Sequence, residues 1–280
     1  MRFLIVNGYP AESRAGFDHT GVPHPHDLYE RLLLRHLPKA GVEVFFVADE
    51  ENPLPTDADL LAFDGVIWTG SDQTIYHDHL PRVARQIELA HRLFALGVPQ
   101  FGSCWGAQMA AVAAGGRVAK NPKGREWGFA RRITMTPEGR RHPLTAGKPA
   151  VFQGIEMHLD EIVELPEGAT LLATGEHTRV QALAVEQEKG AFWATQYHPE
   201  FDLDANARLI AARASALVKE GFFENEAEVK AYARDLAALH REPENEALRE
   251  KLGVDETLLD PEVREREFRN WLHHLVGASL

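Results

Sequence analysis

The sequence predicts an α/β protein: a doubly wound, mostly parallel sheet with helices on both faces, plus a C-terminal helical extension. Three observations predict it. Short apolar runs such as Phe3-Leu4-Ile5-Val6 and Val66-Ile67-Trp68 alternate with longer runs whose apolar residues recur every three or four positions. Strands that are apolar on both faces belong to sheets covered on both sides, and the strand–helix–strand order makes neighbouring strands parallel. Between one such strand and one such helix lies Gly102-Ser103-Cys104-Trp105-Gly106, a tight strand-to-helix turn that lifts one side chain above the end of a sheet.

The elements follow in order. Residues 2–6 form the first strand, which ends at Asn7-Gly8. Residues 9–26, rich in Gly, Pro and His, read as a long loop. Leu28, Leu32, Leu33 and Leu37 mark an amphipathic helix, closed by Gly41, and residues 42–47 are the next strand. Leu60, Leu61 and Phe63 lead to a short buried strand at 65–68. Residues 82–96 make a long helix with Val83, Ile87, Ala90 and Phe94 on one face. The helix after the turn covers 108–114 and stops at Gly115-Gly116. Short strands at 132–136, 150–152, 170–173 and 181–185 could extend the sheet with antiparallel members. A last apolar strand, 190–196, runs straight into Tyr197-His198-Pro199-Glu200-Phe201. Beyond Asp204 the pattern is helical: 205–219, 226–239, then a charged segment, then 261–276. The expected organisation is one domain over 1–218 and a helical extension over 219–280.

Bulk properties exclude several functions. A chain of 280 residues with 44% hydrophobic and 26% charged residues can bury a full core. The net charge of −12 argues against nucleic-acid or anionic-membrane binding. No apolar run is long enough to span a membrane. A single cysteine excludes an internal disulfide, and no charged-then-apolar leader precedes the first strand, so a cytoplasmic setting is expected. His19, His24, His26, His77 and His79 lack the spacing and the cysteine companions of a metal site, so no metal and no cofactor are expected.

The chemistry gathers at Cys104. It would stand at a helix N-terminus, where free N–H groups and the macrodipole favour an anionic thiolate. Gly102 and Gly106, lacking Cβ, let backbones approach closely around the turn. A lone cysteine is otherwise a small buried apolar residue, so its partners decide the reading.

Those partners bring a family into view. Gly102-Ser103-Cys104-Trp105-Gly106-Ala107-Gln108, followed far downstream by His198-Pro199-Glu200, resembles a class I glutamine amidotransferase domain, above all the glutaminase domain of GMP synthase and its stand-alone relatives. Thr69-Gly70-Ser71 resembles the family's oxyanion loop. Glu126-Trp127-Gly128 resembles its Glu-x-Gly segment, and His158-Leu159-Asp160 its His-x-Asp block. The likeness covers roughly residues 1–218. It implies a triad of Cys104, His198 and Glu200 at the strand C-termini. Gly70 or Ser71, with the N–H of Trp105, would make the oxyanion hole, and Gln108, Glu126 and Gly128 would hold the glutamyl group. Residues i and i+2 on an extended segment face the same way, which suits His198 and Glu200. Ala107 stands where the family often has His, and Ser71 where it often has a second Gly, which changes the usual pocket contacts.

The activity so implied is hydrolysis of the side-chain amide of glutamine through a γ-glutamyl thioester, releasing glutamate and ammonia. The alternative is a γ-glutamyl peptide or amide hydrolase that uses the same triad with water as acceptor. The substrate is glutamine or another γ-glutamyl small molecule. The sequence carries no G-x-x-x-x-G-K-[ST] phosphate loop, so ammonia transfer would need a separate synthase subunit.

Overall fold

The computed structural model describes residues 1–280. Its strands are β1 (Arg2–Asn7), β2 (Gly41–Phe46), β3 (Gly65–Trp68), β4 (Gln100–Ser103), β5 (Arg117–Lys120), β6 (Glu126–Met135), β7 (Val151–His158), β8 (Asp160–Glu164), β9 (Ala169–Thr174), β10 (Ala182–Glu186) and β11 (Ala191–Thr195). The helices of the first half are α1 (Ala11–Thr20), α2 (Pro25–His36), α3 (Asp57–Leu60), α4 (Pro81–Leu96) and α5 (Trp105–Ala113). Those of the second half are α6 (Leu203–Ala212), α7 (Ala214–Lys219), α8 (Glu226–Arg241), α9 (Glu246–Leu252), α10 (Glu256–Leu259), α11 (Pro261–Arg264) and α12 (Arg266–His274). None is long and apolar enough to cross a membrane.

Nine strands form one sheet in the order β2-β1-β3-β4-β11-β10-β9-β6-β7. The first five run parallel, and the remaining four add an antiparallel arm. Side chains alternate across the parallel strands. Leu4, Val6, Val66 and Trp68 join a core with α4 and α5. Phe3, Ile5, Ile67 and Phe101 join a second core with Tyr29, Leu32 and Leu33 of α2 and Phe268, Trp271 and Leu272 of α12. The doubly wound, two-sided sheet expected from the apolar strands is therefore present.

The helices of 219–280 reach into both halves of the molecule. Helix α12 covers the second face of the sheet beside α2. Helix α8 packs through Val229, Ala233 and Leu236 against Leu209, Ile210 and Leu217 of α6 and α7.

Residues 9–26 depart from the expected loop. They contain α1, and α2 already begins at Pro25. Helix α1 buries one side chain, Phe17, so the sequence carries almost no amphipathic period there. Its helix-forming Ala-Glu-Ser-Arg start and the left-handed Gly21 at its C-terminus, at φ 70°, suffice once Tyr9 packs on Phe17. Strands β6 and β7 are also longer than expected, because they pair with each other across a bulge rather than ending at the core.

Candidate active site

Three adjacent parallel strands end at the same edge. Gly70 follows β3, Cys104 follows β4 and His198 follows β11, so the sheet brings together residues distant in sequence. Cys104 is the only non-glycine residue with positive φ, at 52°, a strained conformation of the kind that collects at functional sites. Its backbone N–H donates to the Thr195 carbonyl at 2.8 Å, and its own carbonyl accepts from Ala107 and Gln108 at 3.0 and 3.1 Å. Gly102 makes this turn possible: a Cβ there would lie 2.8 Å from the Gly106 Cα.

His198 Nδ1 lies 2.7 Å from Glu200 Oε1. The carboxylate accepts, so Nδ1 carries the proton. Cys104 lines the same cavity as this imidazole. Ser103 donates its hydroxyl to Glu200 Oε1 at 2.8 Å, and the His198 backbone N–H donates to the Ile155 carbonyl at 2.9 Å. The ring centroids of Phe201 and His198 are 5.0 Å apart, edge to face. Burial pulls the imidazole pKa down, but the Glu200 carboxylate, its hydrogen bond to the ring and the neighbouring Cys104 outweigh it and hold His198 up at about 10.

Backbone donors face the same place. A Cβ on Gly70 would lie 3.2 Å from His198 Cε1 and 3.9 Å from Cys104 Cβ, so only glycine fits there without displacing a neighbour. Thr69 Oγ1 holds the Gly70 carbonyl at 2.8 Å, which turns the Ser71 N–H the opposite way. That N–H has no acceptor in the chain, and neither does the Trp105 N–H at the start of α5. The Ser71 hydroxyl is occupied by the Gly8 carbonyl at 2.9 Å.

A cavity of about 230 Å³ opens over Cys104 and His198. Gln108 and Asp160 line it, and the Gln108 amide donates to the Asp160 carbonyl at 3.3 Å. Glu126 and Gly128 do not line it. Gly128 sits within β6 opposite Glu156, and Glu126 reaches the cavity only through His158, which does line it. The reason is the β6–β7 pairing, which sets Glu126 behind His158 in register.

His158 has an acceptor at Nδ1 and two carboxylates beside Nε2. Nδ1 meets the Asp160 carbonyl at 2.9 Å, and Nε2 lies 3.1 Å from Glu156 and 3.3 Å from Glu126. Burial works against its charge, but the two carboxylates prevail and raise its pKa well above the ordinary value. Ligand atoms of Glu126, Glu156 and His158 lie within 4.8 Å of one another, and the short imidazole–carboxylate contacts make this trio an ion-pair network. Of the loop histidines, His24 bonds Asp18 and His26 bonds Asn7.

Tyr9 and Arg213 are among the cavity residues that belong to no motif. Tyr9 enters just past β1, its ring held 4.9 Å from that of Phe17. Burial pushes its hydroxyl pKa far up, so it stays a neutral donor. Arg213 lies between α6 and α7. The position of Tyr9 directly after the first strand is the one signal that could have found it, since strand C-termini line sites in open α/β sheets.

A family model described as glutamine amidotransferase class-I matches residues 25–214. The chain belongs to this family. It is 35% identical to the gamma-glutamyl-L-1-hydroxyisopropylamide hydrolase of a Pseudomonas species, over 99% of this chain and 93% of that protein. Gamma-glutamyl peptidase 3 of Arabidopsis thaliana is 29% identical over 57% of this chain and 63% of its own length. The glutamine-hydrolysing GMP synthase of Clostridium novyi is 34% identical, but the match covers 49% of this chain and 24% of the synthase. A glutamine amidotransferase from Thermotoga maritima shares the fold, with a TM-score of 0.67 at 16% identity over 99% of both chains. These relatives are enzymes, and this chain is an enzyme of the same family.

Proposed function

We propose that the protein hydrolyses γ-glutamyl amides, with Cys104 as nucleophile and water as the acceptor. The observation that carries this reading is the similarity along the whole chain to a γ-glutamyl amide hydrolase, whereas the likeness to the Clostridium novyi GMP synthase covers half of it.

The geometry supports a thioester route. The Cys104 thiolate adds to the γ-carbonyl carbon, forming a C–S bond and an oxyanion that the Ser71 and Trp105 N–H groups stabilise. His198, protonated and held by Glu200, gives its Nε2 proton to the amide nitrogen. The C–N bond breaks and the amine leaves. Neutral His198 then takes a proton from water, whose oxygen adds to the thioester carbonyl. The C–S bond breaks, returning the thiolate and releasing glutamate. The sum is amide plus water giving glutamate plus amine. Gln108 and Asp160 flank the end of the cavity where the glutamyl group sits.

A second reading keeps glutamine as substrate and adds a separate synthase subunit that takes the ammonia. The half-chain likeness to GMP synthase favours it. Purified protein incubated with glutamine, γ-glutamyl-isopropylamide and γ-glutamyl-alanine, with glutamate and amine measured, separates the two. Efficient cleavage of the substituted amides without a partner is expected. Turnover of glutamine with both substituted amides inert would overturn the proposal.

The pH profile follows from His198. Its pKa is raised to about 10, so the imidazolium that protonates the leaving nitrogen persists through neutral pH. It is lost as pH rises through about 10, and kcat/KM for a γ-glutamyl alkylamide should fall there. Rates between pH 7 and 11, with circular dichroism to exclude unfolding, check this. A basic limb near pH 7 would contradict the assignment.

A further inference from the structure

The cavity has two ends, and the proton transfer tells them apart. His198 must stand beside the nitrogen it protonates. The substituent on that nitrogen therefore lies on the His198 side of Cys104, and the glutamyl group lies on the opposite side, towards Gln108 and Asp160. Phe201 packs on the His198 ring. Leu209, Arg213 and Leu217 line the same cavity. These residues come from α6, α7 and their junction.

The cavity residues from these helices are apolar except for one guanidinium. The cavity holds two arginines, Arg125 and Arg213. Arg125 is already engaged, in a two-pronged contact with Glu220 at 2.7 and 3.0 Å. Arg213 has no ion pair and no side-chain hydrogen bond in the chain, although a dozen arginines elsewhere meet a carboxylate. It is half-buried, so its charge is less screened than one on the open surface. A planar guanidinium with free donors matches a carboxylate best, because two N–H groups can bind its two oxygens at once.

Building on the hydrolase reading, we infer that Arg213 selects the leaving group: the site favours γ-glutamyl conjugates of small apolar amino acids, whose leaving amine carries a carboxylate. Leu209, Leu217 and Phe201 take the short apolar side chain, and Arg213 takes the carboxylate. Because the contact is to the departing half of the substrate, it acts on acylation and not on hydrolysis of the common thioester.

The test compares γ-glutamyl-alanine with γ-glutamyl-isopropylamide, which has the same branched carbon skeleton around nitrogen but a methyl in place of the carboxylate. The readout is the ratio of the two kcat/KM values. Wild type should prefer the dipeptide. Arg213→Met should lower the ratio roughly tenfold or more, the size expected for a lost charge-assisted contact. Arg213→Lys should restore part of it, and Arg213→Glu should shift preference towards γ-glutamyl-ethylenediamine, whose leaving group is cationic. Thermal melts show whether each variant is folded. A ratio that Arg213→Met leaves unchanged, including the case where both substrates lose equally, overturns this inference and leaves the hydrolase reading intact. Wild-type protein inert to both substrates overturns both.

Discussion

Cys104→Ala and His198→Ala should each lower kcat/KM for a γ-glutamyl amide by about 10⁴-fold or more. The first removes the only thiol in the chain, and with it the thioester. The second removes the imidazole that Glu200 holds beside Cys104, so neither the leaving amine nor the incoming water has a proton partner. Glu200→Gln should retain more activity, because Ser103 still donates to position 200 and the His198 backbone stays tied to Ile155. The amide nevertheless gives up the charge that holds the imidazole protonated. Losses in such a group are not additive, so the Cys104→Ala/His198→Ala double variant should be little worse than either single one. Steady-state assays on variants with wild-type circular dichroism decide this. His198→Ala turning over at wild-type rate would remove His198 from the mechanism.

The second large effect lies behind the catalytic strand. Glu267 of α12 and Lys148 form an ion pair at 2.7 Å, with side-chain exposures of 0% and 1%. Tyr197 donates its hydroxyl to the same carboxylate, and the Lys148 ammonium lies 4.3 Å from the Phe152 ring centroid. Burial draws the Lys148 pKa down against the opposing pull of Glu267. Glu267→Ala leaves that ammonium buried without its counter-charge, a change that costs about 3–5 kcal/mol. Urea denaturation should show a loss of that size. Replacing both partners by apolar residues, as in Lys148→Met/Glu267→Leu, should recover part of it, since an apolar pair avoids the desolvation cost while the Tyr197 hydroxyl still loses its acceptor. Tyr197 immediately precedes His198, so surviving Glu267→Ala protein should also show reduced kcat. Stability within about 1 kcal/mol of wild type would mean the pair contributes nothing net.

Much of the fold was legible because its strands are apolar throughout. Val66-Ile67-Trp68 and Phe3-Leu4-Ile5-Val6 can only be buried on both faces, and that implies the two-sided sheet. Helix α4 was legible from its apolar stripe. Helix α1 was not, because one buried residue in ten leaves no stripe to read. The packing of α12 against the sheet was not legible either. A strongly amphipathic helix declares that it has a buried face, but nothing in its sequence names the surface that face will meet.

The site divides in the same way. Gly102 to Gly106 carries its own geometry, since a strand, two glycines and a helix start constrain the turn locally, and Cys104 at φ 52° is the result. His198 and Glu200 meet in the turn that follows β11, where Nδ1 of the one lies 2.7 Å from Oε1 of the other. Family likeness placed Glu126 and Gly128 at the substrate, whereas the β6–β7 register puts Glu126 behind His158 and leaves Gly128 off the cavity wall. Tyr9 and Arg213 reach the cavity from a strand end and a helix junction that no local pattern connects to Cys104. Sequence by itself determined the sheet, the elbow and the candidate nucleophile, because each rests on short-range backbone sterics or on apolar periodicity. Tertiary structure alone decided which side chains surround that nucleophile, because strand register and helix docking bring together residues from across the chain, and neither is written in any single stretch of it.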